Sequence, residues 1–408
     1  MPSFPTPRLA LLAAFGLVAM ASPAVGVPIE PGVAPPSVQP VPASFDALAA
    51  RAATARDEAR FEEAIVLYGQ ALAAKPSWLE GHWALATLLY DADRYEEATE
   101  HFGAVIATRP NDGLALALFG LCAARVGDHE DALAALMKAR ALGIPNPEVV
   151  SVVNYQAALL LNEADDPDGA AEILRKFAMD GDDSPPVIQA FGLTTLRLPM
   201  LPGEIPEEKR EMVLLAGRAG YHMARARRTS IGRLAVEELV SRYPAEPNVN
   251  FALGMYLLPD DQTAGLASLR RELTVSPEHH VAMIQIAFAE LKRGRGPEAL
   301  VMAERAVELA PSVPAAHLAL GRSLLAVGEV ERGVAAMEVA VKLAPENPRL
   351  RFALAQGYQQ AGRTDDATRE KQEFLRLEKA SSGGAPSGPG HAGDPSAPAP
   401  AVHEGKSS

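Results

Sequence analysis

Histidines, a cysteine and clustered carboxylates are the residues of this chain that could ligate a metal or move a proton. Their spacing argues against both uses. His279 and His280 are adjacent, so on a helix their side chains diverge by about 100° and cannot share an ion. His82 and His101 could approach each other across a helix pair, but they lack a third ligand. Asp165, Asp166 and Asp168 precede Gly169 in the manner of a calcium loop. Such a loop needs an acid six residues after its glycine, and Arg175 stands there. Asp180, Asp182 and Asp183 read as a second acidic turn open to water. Cys122 is the only cysteine, so an intramolecular disulfide is impossible and the residue reads as a small apolar filler. The nucleophile elbow GxSxG, the phosphate loop GxxxxGK[ST] and the zinc motif HExxH do not occur. Gly405-Lys406-Ser407 ends like a phosphate loop but lacks the earlier glycine. No catalytic, cofactor-binding or metal-binding residue is therefore assigned, and the chain is not expected to be an enzyme. The formal net charge of −13 opposes broad nucleic-acid binding. The one basic run, Arg225, Arg227, Arg228 and Arg233, reads as a solvated helix end.

The elements are easier to read than the chemistry. Pro76 and Pro110 lie 34 residues apart, and Pro277, Pro311 and Pro345 repeat that interval. The interval sets a register of units opening at Phe45, Leu79, Gly113, His280, Pro314 and Pro348. The eighth residue of each is small: Ala52, Ala86, Gly120, Ala287, Gly321 and Ala355. Alanine recurs at the twentieth place, as Ala64, Ala98, Ala132, Ala299 and Ala367. It recurs at the twenty-seventh as Ala71, Ala139, Ala306 and Ala340. Gly127, Gly294, Gly328 and Gly362 share the fifteenth place, where a left-handed residue would end a first helix. Small residues mark close helix contacts, where a larger side chain would overpack at about 1–3 kcal/mol. The prolines stop the second helix, which cannot hold one internally without losing about 3 kcal/mol.

This pattern resembles the tetratricopeptide repeat over about two thirds of the chain. The resemblance implies an all-α fold. It would be a right-handed superhelix, or α-solenoid, of antiparallel helix pairs, with about eight units and a degenerate middle segment. Residues 44–180 form the N-terminal repeat block and 247–380 the C-terminal one. Between them, 181–246 is the degenerate helical segment, broken by Pro185, Pro186, Pro199, Pro202 and Pro206. Helices are expected there from near Pro206 to Arg227 and from near Ile231 to Tyr243, after an irregular insertion at Leu193–Ile205. The insertion reads LRLPMLPGEIP from Leu196. In this the chain is also similar to exported bacterial repeat proteins carrying an LRLPxLPxEIP-type stretch.

The ends are read from composition. Arg8 is the only charge before Glu30 and is followed by the apolar run Leu9–Ala21. With Ala24 and Gly26 behind it, 1–26 reads as a signal peptide. The protein is accordingly expected to be exported, periplasmic or secreted, with no integral membrane span after cleavage. Residues 27–43 form a proline-rich linker, and 381–408, rich in Gly, Ser, Ala and Pro, form a tail expected to be disordered.

In the family, the second, fifth, ninth, twelfth and thirteenth residues of each first helix line a concave groove. The resemblance places Trp83, Thr87, Tyr90, Leu114 and Leu121 there in the first block, with Leu79, which opens its unit, beside them. In the second block it places Val281, Ile284, Phe288, Leu318, Arg322, Phe352 and Gln356. Trp83 and Phe288 stand out as anchors, since aromatics dominate interfaces. Relatives that clamp a peptide carboxylate carry Lys, Asn and basic residues where this chain has Ala49, Ala53, Ala84, Leu114 and Leu118. The clamp is missing. The implied function is an exported scaffold whose apolar groove binds a protein or peptide partner in the bacterial envelope. The other reading is a noncatalytic subunit or maturation factor of a periplasmic enzyme or export machine.

Overall fold

In the computed structural model, residues 44–225 and 230–382 are described. The expected signal peptide, linker and most of the tail, along with Arg227 and Arg228, lie outside them. Every regular element among the described residues is a helix. The chain divides into two compact units, one ending at Tyr256 and the next beginning at Leu257.

The first unit opens with four helix pairs. These are α1 (Phe45–Asp57) with α2 (Phe61–Ala74), α3 (Leu79–Asp91) with α4 (Tyr95–Thr108), α5 (Gly113–Val126) with α6 (His129–Leu142), and α7 (Pro147–Glu163) with α8 (Pro167–Asp180). A fifth pair joins α9 (Pro185–Thr195) to α10 (Glu207–Ala224). Helix α11 (Ser230–Arg242) packs on α10, and α12 (Val249–Leu257) follows. The second unit begins at α13 (Gln262–Val275). Three pairs come after it: α14 (His280–Lys292) with α15 (Gly296–Leu309), α16 (Pro314–Ala326) with α17 (Val330–Leu343), and α18 (Pro348–Gln360) with α19 (Thr364–Ser382). Each unit is an all-α solenoid of antiparallel helix pairs.

One backbone device closes all eight pairs. The first helix of each is followed, within two residues, by a left-handed residue: Ala59, Asp93, Gly127, Asp165, Arg197, Gly294, Gly328 and Gly362. Four are the glycines expected from the sequence. The other four carry a Cβ there, at about 1–2 kcal/mol each relative to a right-handed conformation.

The core follows the same register. Ala52, Ala64, Ala71, Ala86, Ala98, Ala132, Ala139, Ala287, Ala299, Ala306 and Ala355 are all fully enclosed. A Cβ on Gly120 would sit 2.8 Å from the Leu136 side chain, and one on Gly321 would sit 2.5 Å from Met337 Cγ. The eighth place is therefore small because the second helix of the same pair leaves no volume.

The middle segment departs from the sequence reading. Pro185 and Pro186 do not break the chain into pieces. They open α9, because proline's fixed φ suits the first helical turn and the missing N–H has no partner there anyway. Helix α9 runs through Leu193 to Thr195, so the irregular stretch is shorter than expected and contains one 3-10 turn at Pro202–Glu204. Helix α10 ends at Ala224 rather than Arg227. The insertion is also part of the core. Leu193, Leu196 and Ile205 are buried with Met212, Val213, Leu239 and Val249. The Asn162 side chain donates to Leu198 O at 2.5 Å, and Arg197 pairs with Asp168 at 3.1 Å.

Candidate functional site

The residues that could have carried chemistry are spent on capping and packing. Asp166 caps α8, its carboxylate accepting from Gly169 N–H at 2.9 Å. Asp182 accepts from Ser184 N–H, and Asp180 meets Lys176 at 3.0 Å. The aspartates that resembled a calcium loop thus begin a helix, satisfying donors that every helix N-terminus leaves open. His279 caps α14 by accepting from Ala282 N–H at 3.2 Å. Cys122 is enclosed, and burial pushes its thiol up to about 12. A thiol that stays protonated is a poor nucleophile. No group of three His, Cys, Asp or Glu side chains able to hold a metal occurs among the described residues. A charged hollow of about 500 Å³ lies between α18 and α19. Its acids and bases neutralise one another, Arg351 with Glu370 at 2.9 Å and Arg376 with Glu373 at 2.7 Å.

His82 and His101 do meet, with their Nδ1 atoms 3.0 Å apart. His82 Nε2 lies 2.9 Å from Pro76 O. A carbonyl can only accept, so His82 Nε2 carries a proton, and of the two Nδ1 atoms one donates and the other accepts. The contact to the proline carbonyl recurs: His317 Nε2 reaches Pro311 O at 2.8 Å and Arg351 Nε reaches Pro345 O at 3.1 Å. In each case the donor follows its proline by six residues and satisfies an exposed carbonyl after the preceding helix. That spacing is visible in the sequence once the prolines have set the register.

The groove residues fall into three groups. Tyr90, Leu121 and Ile284 are buried in the core and present little surface to a partner. Leu79, Trp83, Thr87, Leu114, Val281, Phe288 and Leu318 are half-buried. Trp83 and Phe102 make a T-shaped contact at 5.7 Å, and the Thr87 hydroxyl donates to Ala84 O of its own helix at 2.9 Å. Arg322, Phe352 and Gln356 are exposed. The Arg322 guanidinium lies 6.0 Å from the Phe288 ring, and Phe352 meets Phe374 at 5.4 Å. Within the first unit α5 packs beside α7 and α7 beside α9. Within the second, α14 packs beside α16 and α16 beside α18. The first helices α5, α7 and α9 thus make one layer in the first unit, and α14, α16 and α18 make one in the second.

Sequence reasoning missed two aromatic clusters in the first unit. Trp78 stacks on Tyr68 at 5.8 Å and makes a T-shaped contact with Phe45 at 5.1 Å. Tyr95 sits between Tyr90 at 5.7 Å and the Arg125 guanidinium, also at 5.7 Å. Tyr68 and Tyr90 stand at register positions, but Trp78 and Tyr95 do not, so the repeat pattern held no signal for the contacts those two make.

Stacked helix hairpins with a glycine or other left-handed residue inside each pair define a helical-repeat protein. Residues 55–124 and 284–348 match the tetratricopeptide repeat family. Over those residues the chain carries tetratricopeptide repeats. Repeats of this family serve as scaffolds for protein–protein interaction and are in general noncatalytic. No curated protein matches the chain. Among solved structures, a MamA fragment from Desulfovibrio magneticus RS-1 is 22% identical over 42% of this chain and 97% of its own, with a TM-score of 0.37. A MamA RS-1 double mutant is 20% identical over 43% of this chain and 98% of its own, at 0.38. The Cut9–Hcn1 assembly of the APC/C is 15% identical over 83% of this chain and 80% of its own, at 0.34. No described helix is long and apolar enough to cross a membrane.

Proposed function

We propose that the chain is an exported scaffold that binds a protein or peptide partner in the bacterial cell envelope through the apolar faces of its first helices. The observation that carries the binding reading is the layer α14, α16 and α18. It keeps Phe352 41% exposed and leaves Leu318 and Phe288 partly open. An apolar surface kept open in a row of side-by-side helices supports docking of another chain. Export is supported by Arg8 followed by the apolar run Leu9–Ala21 and the small residues Ala24 and Gly26.

The test places a photo-crosslinking amino acid at Leu318, on a first helix, or at Val301, on the opposite helix of a pair and 59% exposed. Crosslinking in the native host should give a discrete product from position 318 and none from 301, in the envelope fraction. N-terminal sequencing of the same material should begin at Val27 or Val25. Equal crosslinking at both positions would remove the groove. An intact Met1 in a cytoplasmic pool would remove export.

A further inference from the structure

The second unit separates its carboxylates by helix. Its second helices carry most of its acids: Glu298, Glu304 and Glu308 on α15, Glu331 and Glu338 on α17, and Asp365, Asp366, Glu370, Glu373 and Glu378 on α19. The first helices α14, α16 and α18 hold a single carboxylate, Glu290. It is fully buried and already paired with Arg270 and Arg295. The same three helices carry Lys292, Arg322, Arg349 and Arg351. In a chain of net charge −13, this layer is therefore locally cationic.

Arg351 is committed to Glu370 and Pro345. Arg322 forms no ion pair or side-chain hydrogen bond among the described residues. Its only contact of note is the Phe288 ring, 6.0 Å away. The side chain as a whole is open to solvent, yet its apolar surroundings desolvate the guanidinium enough to lower its pKa. An unpaired cation held among apolar groups gains more from a carboxylate than one in free water, because neighbours thin the screening. On the next first helix Phe352 is exposed, with Gln356 one turn on.

Resting on the docking reading above, we propose that this face of the second unit binds an extended partner segment in which a side-chain carboxylate pairs with Arg322 and flanking aromatic or aliphatic residues rest on Leu318 and Phe352. The apolar flanks exclude water from the ion pair, which separates such a site from a solvent-screened surface pair of little worth.

The test uses the full chain and a bead library of random ten-residue peptides, acetylated and amidated so that no terminal carboxylate remains. Peptides selected by the wild type should be enriched in Asp or Glu next to Phe, Leu, Ile or Trp. Arg322→Gln should weaken them about tenfold, as should added salt, while its melting curve overlays that of the wild type. Arg322→Glu should select peptides with Lys or Arg instead. Selected peptides without acidic enrichment, or bound equally by Arg322→Gln, would overturn the carboxylate assignment and leave the groove standing. If no peptide is selected above background, the groove reading fails and this one with it.

Discussion

At the residue scale, the His82–His101 contact has a measurable pH consequence. Burial, and then the neighbouring His82, hold the His101 pKa below the usual histidine value, against the opposing pull of Glu100 and Glu97. The unfolded chain therefore binds a proton at a higher pH than the folded one does. Stability contributed here is complete above the ordinary histidine pKa and is lost as pH falls below it, because stability rises with pH wherever the unfolded state binds more protons. Thermal melts between pH 7.5 and 5.5 should show the wild type weakening on acidification and His101→Gln weakening less. The difference should be a fraction of a kcal/mol, since His101 is only half-buried and water screens part of the effect. A steeper acid loss in His101→Gln would mean that the protonated pair is the stable one.

At the element scale, the α9–α10 pair shows what a degenerate sequence can hide. A Cβ on Gly192 would fall 2.0 Å from Val213 O, and one on Gly217 would fall 2.0 Å from Ile188 O. The two helices touch backbone to backbone, and each lends a glycine to the contact. Gly192→Ala should force them apart and cost about 1–3 kcal/mol. A Cβ on Gly69, in the middle of α2, would meet nothing within 4 Å. Gly69→Ala should instead stabilise by about 0.5–1 kcal/mol, through the lower entropy of the unfolded chain. Urea melts of the two variants should move in opposite directions. A stabilised Gly192→Ala would show that the contact yields without strain.

At the scale of the whole molecule, repeat proteins spread a local lesion mainly to their neighbours. Ala98, on α4, is fully enclosed, whereas Glu97 is exposed and paired with Arg94. Ala98→Leu should destabilise by about 1–3 kcal/mol. Glu97→Leu should change stability by less than about 0.5 kcal/mol. Hydrogen exchange on Ala98→Leu should quicken across α3 to α6 and leave α14 to α19 little altered. Uniform acceleration through both units would refute independent melting.

The repeating prolines, alanines and glycines are enough, by themselves, to determine six of the eight helix pairs and their register. Each is imposed by a local constraint: a left-handed turn, a helix stop, or a contact with no spare volume. The same logic puts Ala98 and Ala306 in closed positions from the spacing of the prolines alone. Only tertiary packing decides the rest. It lays α9 backbone to backbone on α10, because Gly192 and Gly217 carry no Cβ to keep the two helices apart. It buries Tyr90, Leu121 and Ile284, which the groove positions alone would have left open, because neighbouring helices cover them. It also leaves Arg322 without an acid, because the carboxylates of the second unit lie mostly on the other helix of each pair. Burial and pairing depend on residues distant in the chain, and no periodicity within a single unit encodes them.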